Sequence, residues 1–410
     1  MFRMSLICLA VSAALGASAL PFQIGAASVV VTPPNGVYLA GYDHDRRATG
    51  VHDDLFAKAV IVANGKDAVC LVVIDSIGVS YPTINEIRAL ASKQLTKIAI
   101  APERIVVSST HTHCGPDCIG VYGKSAESSG IDSAYMKLLV EGAAKAVVDA
   151  SEKLQEAEIR IAETKCEGWA VNDSEPDLVD HSVTVAQCVS ADGKSIATLT
   201  NFACHPTVLD GDTTVCSADW PGAFYRTMSE SIEGEHIFLQ GCIGGWVQPV
   251  TPIRTFELAL AYGKHLADIT LASLRTAKPL TGDSIRFANK VFAMPNTNEG
   301  FKALSASGVL PRAIGDTVET EVAWFSIGEA QFATHPGETS PAHGFATKEM
   351  MATGPKFVIG LGLDELGYIL KKDYFEKGKY PHADYLTSVS PGPGAEDAML
   401  AALREIIPGK

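Results

Sequence analysis

Residues 68–75 read AVCLVVID, a run with no polar side chain until its last position. Successive side chains of a strand point to opposite faces of a sheet. A strand can therefore be apolar throughout only where both faces are covered. Directly after this run, Ile84, Ile87, Leu90, Ala91 and Leu95 recur at helical spacing and predict a helix over 83–98. The same succession continues along the chain. Strands are expected over 104–108, 158–162, 182–188, 196–202, 236–240, 284–292, 321–327 and 356–361, from their β-branched and apolar content. Helices are expected over 134–150, 221–231 and 256–274, with Pro221 acceptable in a first turn. Strands alternating with helices predict an α/β fold: a mixed sheet covered by helices on both faces, in one large domain. No internal repeat, heptad run or low-complexity linker divides the chain, and the Pro- and Gly-rich pieces 32–36 and 391–394 read as surface loops.

A chain of 410 residues with 47% hydrophobic and 20% charged residues can bury a large core. Its net charge of -14 argues against nucleic acid as the main partner, because a phosphate backbone needs a basic face. Arg3, the apolar run 6–15 and Ala17-Ser18-Ala19 have the pattern of a signal peptide over residues 1–19. The expected mature domain is 20–410, secreted or periplasmic. The run is too short to cross a bilayer, and no later segment is apolar enough to be transmembrane. Eight cysteines follow Cys8, and export permits disulfides; Cys114 and Cys118 either bridge each other or simply pack.

Chemistry concentrates where strands end. Ser108-Ser109-Thr110-His111-Thr112-His113-Cys114-Gly115-Pro116-Asp117 follows the strand at 104–108. In an extended chain, His111 and His113 at i and i+2 face one side. Ala203-Cys204-His205-Pro206-Thr207 follows the strand at 196–202, and Pro206 restricts His205 to extended backbone. Thr334-His335-Pro336-Gly337-Glu338-Thr339 follows the apolar run 330–333. Two imidazoles and a carboxylate with an open position form the set that catalytic zinc uses. Asp219, in Ser217-Ala218-Asp219-Trp220-Pro221-Gly222, either orients a ligand histidine or caps the helix that follows.

These segments, in this order, resemble the neutral ceramidase family. So do Val31-Thr32-Pro33-Pro34, Leu39-Ala40-Gly41-Tyr42 and Gly50-Val51-His52-Asp53-Asp54-Leu55-Phe56-Ala57-Lys58-Ala59. The resemblance implies a zinc amidase fold. It makes His111, His205 and Glu338 metal ligands, and it makes Tyr368, in Leu366-Gly367-Tyr368-Ile369, a residue that closes the metal site. It makes His113 the catalytic histidine facing the reacting carbonyl. It covers the catalytic domain without the family's C-terminal immunoglobulin-like domain. Two positions depart from the family pattern. Gly245-Trp246-Val247-Gln248-Pro249 stands where the family has Gly-Asp-Val-Ser-Pro, so Gln248 replaces the nucleophilic serine and Trp246 the aspartate. Asn172-Asp173-Ser174 stands where the family has an arginine-bearing turn.

Glutamine cannot accept an acyl group. The expected function is therefore an exported Zn2+-dependent hydrolase that cleaves an amide, ester or lactone bond by zinc-activated water. Its partner is a small-molecule or lipid amide. Tyr368 is either a fourth ligand or a donor to the developing oxyanion, and His113 either donates there or protonates the leaving group. The alternative is a non-catalytic zinc-containing protein that binds a lipid or glycan. The sequence has no G-x-S-x-G, H-E-x-x-H or Walker motif.

Overall fold

In the computed structural model of the chain, which describes residues 21–409, the AVCLVVI run is strand Ala68–Ile74, and every one of its side chains is buried. The expected signal peptide, residues 1–19, lies outside the described residues. Eight strands build the main sheet in chain order. They are β1 (Phe22–Val30), β2 (Phe56–Ala63), β3 (Ala68–Ile74), β4 (Ile105–Ser109), β5 (Gln155–Lys165), β6 (Ser182–Ser190), β7 (Ser195–Phe202) and β8 (Glu235–Gln240). Their spatial order is β8-β7-β6-β5-β1-β2-β3-β4, and the short strand Lys278–Pro279 adds to β5 as the ninth. The pairs β3–β4 and β7–β8 are parallel, and the other neighbours are antiparallel.

A parallel pair needs a crossover. Here helix α1 (Tyr81–Gln94) connects β3 to β4, and α3 (Trp220–Ser231) connects β7 to β8. Both parallel pairs thus lie at sheet edges, and the sheet curls until those edges meet. Ser28 of β1 and Lys58 of β2 reach across to Glu235 of β8 at 3.1 and 3.4 Å. Gln240, at the end of β8, donates to the carbonyl of Thr110, just past β4, at 3.1 Å. The curl brings the segment that follows β4 next to the segment that follows β7.

Helix α2 (Ser133–Glu152), capped by Asp132 on the Tyr135 N–H, lies over β1 and β2 with α1 against it. Helices α3 and α4 (Phe256–Leu274) pack on each other, and α4 lies over β5 and β6. A second sheet has the order β9 (Ile285–Pro295), β10 (Thr317–Ile327), β11 (Ala330–Thr334), β12 (Lys356–Ile359). It joins the first through one shared core, in which Phe325, Phe332 and Phe357 stack at ring separations of 4.6 and 4.3 Å. A buried Arg88–Glu321 ion pair of 2.6 Å ties α1 to β10, and a hydrogen bond of 3.2 Å from Asn201 of β7 to the Val358 carbonyl of β12 crosses between the sheets.

The mixed α/β expectation holds, with several local corrections. Strands β1 and β2 were not expected as strands, nor Pro341–Met350 and Ala395–Ile406 as helices. The first helix stops at Gln94, short of residue 98. Pro391 and Gly392 are buried rather than on a surface loop, because the Pro391 carbonyl accepts the Thr297 N–H. The eight cysteines in the described residues are all buried and unbridged, so Cys114 and Cys118 pack. No helix among the described residues is long and apolar enough to cross a membrane.

Candidate metal centre

The chain leaves β4 at Ser109 and turns at His111, whose φ of 71° lies in the left-handed region. The convergence of His111 and His113 therefore does not come from extended-chain alternation. It comes from a turn that a non-glycine residue adopts only when its surroundings hold it there. Two bonds to the end of β3 do so: the His111 N–H donates to the Ser76 carbonyl at 2.9 Å, and its Nδ1 to the Ile77 carbonyl at 2.5 Å. His113 Nδ1 donates to the Gly41 carbonyl at 3.0 Å. Gly41 has a φ of 100°, and a Cβ there would lie 2.4 Å from Cγ of His113, so only glycine fits. Buried Arg46 braces the same place, donating to the carbonyls of both Ala40 and His113. After β7, His205 is held twice by Val247: its N–H donates to that carbonyl at 2.9 Å and its Nδ1 at 2.7 Å.

The carboxylate comes from a two-stranded ribbon that follows β11 of the second sheet. After β11 the chain turns at Gly337, where φ is 88° and a Cβ would lie 2.5 Å from the Gly367 carbonyl. Glu338 then pairs in parallel with Tyr368, so the two side chains leave the same face of the ribbon. Oε2 of Glu338 lies 2.8 Å from Nε2 of His205 and 3.4 Å from Nε2 of His111. Two donors about 2.1 Å from one tetrahedral ion are about 3.4 Å apart, which these spacings approach. The ligand atoms of His111, His113 and His205 all lie within 4.8 Å of one another, and this histidine cluster can bind a metal.

The hydrogen bonds decide where the protons are. With each Nδ1 donating to a carbonyl, each neutral imidazole presents a lone pair at Nε2. A carboxylate oxygen facing two such lone pairs is repelled unless a proton or a cation lies between them. Nε2 of His113 is buried and has no hydrogen-bond partner among the described residues. The residues therefore fit a bound cation. Burial raises the Glu338 carboxyl, but a proton on the facing nitrogen of His111 or His205, in the place of the cation, outweighs burial and holds the carboxyl below its ordinary value. Burial first, and then His111 and His205, pushes His113 well below its ordinary value, so it is neutral at pH 7.

Around this centre lies a rim of side chains. The Tyr368 phenol is buried; burial and then the Glu338 charge push it well above its ordinary value, so its proton stays on. Its oxygen accepts from the indole N–H of Trp246 at 2.7 Å. The Gln248 amide donates to the Asp173 carboxylate, and both residues are half-buried. Asp219 does not touch an imidazole ring. Its carboxylate accepts from Trp220 N and Leu209 N at 2.5 and 2.9 Å, so it caps α3, and backbone carbonyls orient the histidines instead. His335 also stays outside the cluster, bonded to Thr339 and Thr347. The carbonyls of Ile77, Gly41 and Val247 were missed from sequence, since a backbone acceptor leaves no residue-type signal. Only the position of Gly41 between Ala40 and Tyr42 marked that loop.

A family model described as neutral/alkaline non-lysosomal ceramidase, N-terminal, matches residues 22–249. His111, His113, His205 and Gln248 lie inside that match, and Glu338 and Tyr368 lie beyond it. Among solved structures, the fold is similar to a neutral ceramidase from Pseudomonas aeruginosa, with a TM-score of 0.76 at 16% identity, covering 96% of this chain and 76% of that one. It is also similar to a ceramidase complexed with C2, with a TM-score of 0.77 at 15% identity, covering 95% of this chain and 76% of that one. No curated protein sequence matches.

Proposed function

The chain belongs to the neutral/alkaline non-lysosomal ceramidase family, and from that premise we propose that it is an exported zinc-dependent hydrolase of amide bonds that uses no serine nucleophile. One observation carries the reading: the Glu338 carboxylate faces the lone-pair nitrogens of His111 and His205, an arrangement that a divalent cation neutralises. His111, His205 and Glu338 are the proposed ligands. When bound, zinc supplies the Lewis acidity that lowers the pKa of water from 15.7 to about 7. His113 has its proton on Nδ1, so Nε2 first takes a proton and then returns it to the leaving amine. Tyr368, with its oxygen occupied by Trp246, turns its O–H toward the developing oxyanion. Gln248 orients substrate through its amide. The substrate is a small-molecule or lipid amide.

Zinc analysis together with amide and ester hydrolysis, each with and without a chelator, tests the reading. About one zinc per chain and chelator-sensitive cleavage are expected; zinc-free protein that cleaves at the same rate refutes it. The second reading, a zinc-containing protein that binds a lipid or glycan without cleaving it, is favoured by Gln248 at the serine position. Zinc-loaded protein that binds but cleaves none of the amides supports that reading. Export predicts that chain isolated from its native host begins near Leu20, by intact mass. A cytoplasmic chain that retains Met1 contradicts export.

A further inference from the structure

Gln248 lies one residue from the group that anchors His205. The Val247 carbonyl accepts both the N–H and the Nδ1–H of His205, at 2.9 and 2.7 Å, and the Gln248 Cα lies about 3.8 Å along the chain from that of Val247. In the two-stranded ribbon, Val247 pairs with Asn172 and Gln248 with Val171. Side chains alternate across a strand, so the Val247 side chain is buried and that of Gln248 leaves the other face, half-buried at the rim. The Asp173 N–H donates to the Trp246 carbonyl at 3.2 Å, which sets the Asp173 carboxylate against the Gln248 amide.

The neighbouring carboxylates have cations: Glu175 pairs with Lys371 and Asp373 with Lys379. Asp173 is held instead by the Gln248 amide. A carboxylate accepts and cannot donate, so only the NH2 end of that amide can face it. The flipped amide would set oxygen against oxygen, which is repulsive. Oε1 of Gln248 is thereby turned away from Asp173, and it has no hydrogen-bond partner among the described residues. We infer that Asp173 is a positioning residue and that Gln248 is the acceptor for the N–H of the substrate's amide, which makes the site selective for amides that carry an N–H over esters and N,N-disubstituted amides. An ester has no proton to offer Oε1. As the leaving nitrogen takes a proton and becomes positive, its N–H donates more strongly than in the bound substrate, and an interaction that strengthens toward the transition state raises kcat. The kinetic consequence rests on the hydrolase reading above; the Asp173–Gln248 contact and the preference in binding do not.

Three probes of one acyl group test it: the N-butyl amide, the N-butyl-N-methyl amide and the butyl ester of octanoic acid. The amide-to-ester ratio of kcat/KM should fall about 10- to 100-fold in Gln248→Met and about 3- to 10-fold in Asp173→Ala. The N-methyl amide should lose less than the N-butyl amide in both variants. In ¹⁵N-labelled protein, the side-chain NH2 pair that disappears in Gln248→Met should move in Asp173→Ala. A ratio within twofold of wild type in Gln248→Met, an N-methyl amide that loses as much as the N-butyl amide there, or an NH2 pair that Asp173→Ala leaves in place overturns the inference. If the wild type cleaves none of the three, the hydrolase reading fails, and binding of the two uncleaved amides still decides the acceptor role. Tighter binding of the N-butyl amide that Gln248→Met removes supports it, and the same preference in both proteins overturns it.

Discussion

At the metal centre, His111, His113 and His205 each hang from a main-chain carbonyl, of Ile77, Gly41 and Val247. At the rim, Trp246 is tied to Tyr368 and Gln248 to Asp173 by side chains alone. Carbonyl acceptors persist whatever the sequence around them, so the ring orientations depend on the backbone path. Rim contacts vanish with one substitution. On the reading that Gln248 stands at the family's serine and Trp246 at its aspartate, the comparison explains how the proposed metal centre is kept while those two positions change. The rim contacts run from side chain to side chain, although the backbone of both segments is itself paired.

The largest expected effect sits at the centre. His205→Ala or His111→Ala should abolish zinc binding and lower the rate on the order of 10⁴-fold or more, by removing the activated water. Metal analysis and kcat on one amide measure this. Wild-type zinc content in the double variant breaks the ligand assignment, and with it the distinction between centre and rim.

Gly41→Ala sharpens the distinction, because it perturbs a carbonyl hinge without touching a ligand. The added Cβ collides with the His113 ring at a φ that alanine resists. The rate should fall at least about 100-fold, as for a displacement of about 1 Å, while zinc content stays near wild type. Undiminished kcat contradicts the role given to His113.

At the rim the effects are smaller. Gln248→Ala should slow the reaction roughly 10- to 100-fold, as a positioning group does, and leave zinc bound. Serine-directed covalent inhibitors should not label the wild type. A stable adduct on a serine of active protein, seen by mass spectrometry, ends the single-displacement mechanism.

The smallest effect is a pH dependence of stability in the metal-free protein. The Glu338 carboxyl lies lower in the folded chain than in the unfolded one, so its contribution is present above the ordinary glutamate range. It is lost as pH falls toward the folded value. The stability difference between wild type and Glu338→Gln, measured by denaturant titration, should therefore shrink from pH 6 downward. A difference that grows on acidification shows that the carboxylate is not held by His111 and His205.

What the sequence alone determined lies within short stretches of chain. The unbroken apolar run 68–75 required a covered strand, and the helical spacing after it required a crossover. The placement of His111, His205 and Glu338 just past strand ends followed from local pattern, because strands end where apolar residues give way to polar ones. Strands β1 and β2 escaped that reading. Lys58, apparently a break in an apolar strand, is buried against Glu235 of β8, a partner far along the chain. The same limit governs the site. Which carbonyl holds each imidazole, which nitrogen keeps the proton, the left-handed turn at His111, and the indole on Tyr368 all arise from residues far apart in the chain. Ile77 and His111 are 34 residues apart, and Trp246 and Tyr368 are 122 apart. Periodicity and propensity act over a few residues, so only the curl of the sheet, which brings the ends of β4 and β7 together, could decide those contacts.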